Sequence, residues 1–151
     1  MTRNLVFVGA FGAMLLAANA ATADNCTGEY TSVEESAQTL EVAPGHKVTF
    51  FVAHSSSVTD GTSAYDMVGE CGGYTLTMPD GKKLTNGMCA LKGKDGDSVS
   101  EAYSQEPGAE RGTWKEVAGT GHFAGKNNSG WYQHTMSDGT TNTGKWGGTC
   151  Q

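Results

Sequence analysis

Four cysteines, Cys26, Cys71, Cys89 and Cys150, stand in this 151-residue chain so that two lie near its ends and two lie close together in its middle. None belongs to a C-x-x-C pair, which disfavours a zinc site or a redox motif. An even count in an exported chain implies disulfides, and four cysteines allow three pairings. The preferred pairing joins Cys26 to Cys150 across the ends and Cys71 to Cys89 across a hairpin, with the other two still open. A bridge between the ends demands a fold in which the first and last segments lie side by side. By loop-entropy reasoning the long bridge contributes roughly 4–5 kcal/mol and the short one about 3. Staples of that size matter in a chain with 22 glycines, because glycine leaves the unfolded state rich in conformations.

Export is read from the N-terminus. A basic start at Arg3, an apolar run from Leu5 to Ala18 and a tail of small residues form the three parts of a secretory signal peptide. Cleavage after Ala23 satisfies the small-x-small rule, and cleavage after Ala20 is the alternative. The apolar run is too short to span a bilayer comfortably, and no later segment comes close. Asp24 and Asn25 ahead of Cys26 argue against a lipid anchor there. The expected organisation is a signal peptide over 1–23 and one β-barrel domain over 24–151, secreted or periplasmic, with no membrane anchor.

Losing the leader with its single Arg3 takes the formal net charge from −6 to −7 and leaves 128 residues, enough for one core. The acidic excess is dispersed, as suits solubility rather than an acidic tail. No Lys/Arg cluster interleaved with aromatics exists, so nucleic acid and anionic membranes are not expected partners.

Helical period is nearly absent. V-E-E-S-A-Q-T-L (33–40) is compatible with a turn or two of helix, and period-two segments dominate elsewhere. They run over 47–54, ending in a polar loop at 55–63, then 64–71 into 72–78, 84–92, 98–105, 113–119, 129–136 and 141–150. P-D-G-K-K (79–83), G-K-D-G-D (93–97) and S-D-G-T (137–140) supply turns. About eight short, evenly spaced strands predict an antiparallel barrel or sandwich. The expectation is all-β, an eight-stranded up-and-down barrel, because closure sets the first and last strands together and lets Cys26 meet Cys150. A β-sandwich is the alternative.

G-T-G-H-F-A-G (119–125) has the look of a phosphate cradle. Such a cradle needs a helix directly after the glycines, whose N-terminal amides hold the phosphates. Here Lys126 to Gly130 lead straight into a strand-like run, and no G-K-[ST] follows, so the glycines read as bends in a curved sheet. The whole stretch Ala118–Gly130, A-G-T-G-H-F-A-G-K-N-N-S-G, comes after a strand bearing Trp114. It resembles the G-G-T-G-x-F signature of the allene oxide cyclase and dirigent-like barrels, with alanine at the first glycine. The likeness extends over 112–136 and more weakly around Cys89–Asp97, and it extends to small secreted bacterial relatives of those barrels. It implies a lipocalin-like or allene-oxide-cyclase-like eight-stranded barrel, often a homo-oligomer, with a cavity for a small hydrophobic molecule. The plant enzymes' pocket carboxylates have no residue-by-residue match here, so the resemblance carries over no catalysis.

No residue set amounts to a catalytic signature. Glu101, between Val99 and Tyr103, Glu116, two residues from Trp114, and His134 are candidate proton-transfer groups if they point into a cavity. The opposite face of 98–104 is Ser98, Ser100, Ala102 and Ser104, so the orientation of that strand stays undecided. Tyr74, Tyr103, Trp114, Tyr132 and His134 are candidate ligand contacts. Trp131, Trp146, Phe50, Phe51 and Phe123 line the interior or fill it. His54 reads as a core or rim residue, and His46 and His122 as surface groups. Asp95 and Asp97 echo a calcium loop, but the remaining ligand positions are missing. Neither a metal nor a cofactor is expected. The expected function is non-catalytic binding of a small, largely apolar ligand. A cyclase- or isomerase-type enzyme and a structural envelope protein are the rivals.

Overall fold

The computed structural model describes residues 25–61 and 63–151; the leader expected over 1–23 lies outside them. Eight strands run up and down: β1 (Cys26–Ala43), β2 (His46–Thr59), β3 (Met67–Thr77), β4 (Lys83–Gly93), β5 (Ser98–Gln105), β6 (Gly112–Gly119), β7 (Ser129–Ser137) and β8 (Thr141–Thr149). Each pairs antiparallel with the next, and β8 returns to β1 to close the barrel, so the sandwich alternative is set aside. Closure pairs Cys26 with Gly148, which brings Cys150 within reach, and the Cys26–Cys150 bond forms at a Cα separation of 5.9 Å. Cys71 and Cys89 sit directly opposite each other on β3 and β4 and form the second bond.

Three segments differ from the sequence expectation. Residues 33–40 are strand, not helix: eight residues nucleate a helix poorly, and β2 offers a ladder from Val33–His54 to Ala43–His46. The serine run after His54 is not a loop but a continuation of β2, with Ser55 donating to Ser32 Oγ at 2.9 Å and Ser57 to the Tyr65 carbonyl at 3.1 Å. Residues 64–66 are not strand: the run expected from 64–71 into 72–78 begins at Met67, after the 3₁₀ turn Ser63–Tyr65, and passes through Gly72–Gly73 without a break as expected.

One end of the barrel is closed. Short 3₁₀ turns at Ser63–Tyr65 and Gly121–Phe123 cover it, over a core of Cys26, Tyr65, Met67, Cys71, Leu91, Val99, Trp114, Phe123 and Trp146. The glycine-rich stretch builds this lid. Gly121 takes a φ of +51°, and its α-carbon lies against the Asp97 carboxylate, which accepts the His122 N–H at 2.7 Å. A phosphate cradle is absent; the bend instead drives Phe123 into the core, where 2% of it is exposed. Asp97 is thereby a turn anchor, and Asp95 is an exposed residue of the same turn. The other end, where the turns after β1, β3, β5 and β7 converge, is the mouth.

Candidate ligand cavity

Between lid and mouth the barrel is hollow, with a cavity of about 920 Å³, within the range that holds a small organic ligand. Its hollowness follows from how glycine and aromatic residues pair across strands. Tyr103 lies opposite Gly87, Tyr132 opposite Gly112, Tyr30 opposite Gly144 and Trp146 opposite Gly28. A β-carbon at any of these glycines would collide with the facing ring. The rings therefore lie along the wall over bare backbone instead of reaching across the centre.

Period-two alternation decides which side chains look inward. On β5 the structure resolves the ambiguity: Val99, Glu101 and Tyr103 face in, and the serine face is outside. The β5–β6 register shifts so that Ser100 pairs with Ala118 but Glu101 pairs with Glu116. The extra residue, Val117, lies outside with 60% exposure, and Glu116 takes the interior position beside Glu101. One row across the wall thus reads Ala53, Cys71, Cys89, Glu101, Glu116 on consecutive strands.

The two carboxylates have different surroundings. Glu116 is 3% exposed and held in the closed end: Asn128 Nδ2 donates to it at 2.9 Å and the Asn128 backbone N–H at 3.4 Å. Asn128 also donates to the Tyr65 hydroxyl at 2.8 Å, and that hydroxyl donates to the Gln151 carbonyl at 3.0 Å. Glu101 lines the cavity and has no hydrogen-bond partner among the described residues. Burial, reinforced by the neighbouring Glu116 charge, pushes its carboxyl up to about 7.

Higher in the cavity Tyr30 Oη and His134 Nδ1 are 2.7 Å apart, and the Tyr103 hydroxyl donates to the Gly72 carbonyl at 3.4 Å. Burial raises the phenols of Tyr30, Tyr103 and Tyr132, that of Tyr132 to about 12. Burial, helped by Lys83, holds the His134 imidazole below its usual range.

Of the residues picked out from sequence, Glu101, Tyr103, Trp114, Tyr132 and His134 converge on this cavity, with Trp146 and Phe51. Glu116 lies in the closed end beside it. Tyr74 does not belong: Met67, Cys71 and Thr75 take the inward positions of β3, so Tyr74 points outward against Phe50 and accepts a bond from Asn86 Nδ2 at 3.3 Å. Trp131 is also outside, with the Arg111 guanidinium 3.9 Å above its ring.

The four histidines do not gather. His54, neither core nor rim, meets Glu70 at 3.2 Å on the outer wall; with Glu35 the three ligand atoms lie within 4.8 Å of one another, all on exposed side chains. The contributions of Tyr30, Tyr65 and Asn128 were missed in sequence. G-E-Y-T-S-V-E (28–34) has strand period and was the available signal for Tyr30.

The fold and cavity define a class by architecture: closed, eight-stranded, up-and-down antiparallel barrels with a hollow interior. Among solved structures the chain is similar to a pterocarpan synthase dirigent protein, with a TM-score of 0.50, 11% identity, and coverage of 95% of this chain and 96% of that one. At that identity the likeness shows the fold alone. No family model and no curated protein sequence matches the chain.

Proposed function

We propose that this protein is an exported barrel that binds a small, largely apolar ligand in its cavity without transforming it. The observation that carries the reading is the hollow interior, in which glycine–aromatic pairing holds four rings to the wall. Two disulfides suit an oxidising compartment outside the cytoplasm. Titration with the neutral fluorophore N-phenyl-1-naphthylamine, read by its emission and by native mass spectrometry, is expected to show one saturable site per barrel. No saturable binding by either method would overturn the reading.

A second reading, a cyclase or isomerase, is favoured by one observation: Glu101 combines cavity access with a carboxyl poised near neutrality, as proton transfer requires. Once a natural ligand is recovered with the purified protein, its conversion by the wild type but not by Glu101→Gln would establish this reading. An unchanged ligand would exclude turnover of that compound.

A further inference from the structure

We propose that the cavity selects an organic cation, a protonated or quaternary amine on an aromatic or other apolar body; this rests on the ligand-binding reading above and narrows it. Three features of the site converge. First, Glu101 and Glu116 are register partners on adjacent strands in the closed half. Glu116 has Asn128 as its donor, whereas Glu101 faces the cavity with no partner among the described residues.

Second, the protein supplies no counter-charge. Among the cavity-lining residues the Lys/Arg side chains are Lys82 and Lys83, both at the mouth. Third, Tyr30, Tyr65, Tyr103, Trp114, Tyr132 and Trp146 line the same volume. Aromatic faces attract cations, and more strongly where water is displaced. A neutral apolar ligand would strip water from Glu101 and leave its ionised form unpaired, and an anion would be repelled. A cation on an apolar body satisfies the carboxylate and the rings together.

The titratable groups that share the cavity with Glu101 set the pH dependence. Glu116 is its register partner on β6, Tyr103 lies on its own strand, Tyr65 in the lid, Tyr30 and Glu34 on β1, Tyr132 and His134 on β7, and Asp80, Lys82, Lys83 and Glu106 at the mouth. The Cys71–Cys89 bond on β3 and β4 does not titrate. The phenols are raised and stay neutral, and His134 is held down and stays neutral above pH 7. A cation favours ionised Glu101, so its affinity falls as pH drops through about 7.

The test is calorimetric titration of the intact, disulfide-bonded protein with four matched probes: 1-naphthylmethylammonium, trimethyl(1-naphthylmethyl)ammonium, 1-naphthalenemethanol and 1-naphthoate. At pH 8 both cations are expected to bind about tenfold or more tighter than the alcohol, with naphthoate weakest. The advantage shrinks at pH 5, also for the quaternary probe, which cannot titrate. Glu101→Gln is expected to abolish most of the preference, and cooperative urea unfolding of the variant reports that it is folded. An alcohol that binds as tightly as the cations overturns the inference and leaves the ligand-binding reading standing. A cation preference that survives Glu101→Gln overturns it as well. Failure of all four probes overturns both.

Discussion

An ionised carboxylate under aromatic rings costs the fold, and Glu101 carries that cost in the unliganded protein. Its folded value of about 7 stands above the ordinary 4.5. The native state therefore holds its proton more tightly than the unfolded chain does. The stability this confers is fully present below about pH 4.5 and is lost as pH rises through 7. Glu101→Gln never ionises, so it is expected to match the wild type in urea unfolding at pH 4 and to exceed it by about 2–3 kcal/mol at pH 8. Equal stabilities at both pH values would mean that Glu101 is well solvated. The other residue-scale device is glycine under an aromatic ring. Gly87 beneath Tyr103 and Gly112 beneath Tyr132 look in sequence like generic turn or bulge glycines. Nothing local says that each makes room for a ring on another strand.

Among the elements, the bend after β6 is the least replaceable. Gly121 combines a left-handed backbone with an α-carbon pressed against the Asp97 carboxylate. Gly121→Ala adds a β-carbon that backbone and neighbour both oppose, so a loss of about 2 kcal/mol or more is expected in denaturant titration. A loss of a few tenths would show that the lid adjusts freely. The bend was legible as a structural glycine motif; that it seats Phe123 as the plug of the closed end was not. On β5 the limit was different. Its faces, Val99–Glu101–Tyr103 and Ser98–Ser100–Ala102–Ser104, differ too little in hydrophobicity for alternation to choose between them. The β6 bulge at Val117, which delivers Glu116 to the interior, leaves no mark in composition at all.

For the whole molecule, closure is the decisive event, and the two disulfides share in it unequally. Cys26–Cys150 ties segments 124 residues apart at the β1–β8 seam, whereas Cys71–Cys89 links residues that the β3–β4 hairpin already sets face to face. Replacing the first pair with serine is expected to lower unfolding free energy by about 4–5 kcal/mol, and replacing the second by about 3. Urea titrations of the two double variants measure both, and the reverse order would mean that the seam holds without its bridge. The sequence by itself determined the all-β class and the main turns, and it favoured the cysteine pairing that barrel closure completes. Those rest on short-range periodicity, on turn residues with fixed dihedral demands, and on the few ways four cysteines can pair. Only the tertiary structure decided that the barrel is hollow and that Glu101, Glu116 and the tyrosines of three strands and the lid share one interior. Which face of a period-two strand turns inward depends on register and closure, and register is set by partners dozens of residues away.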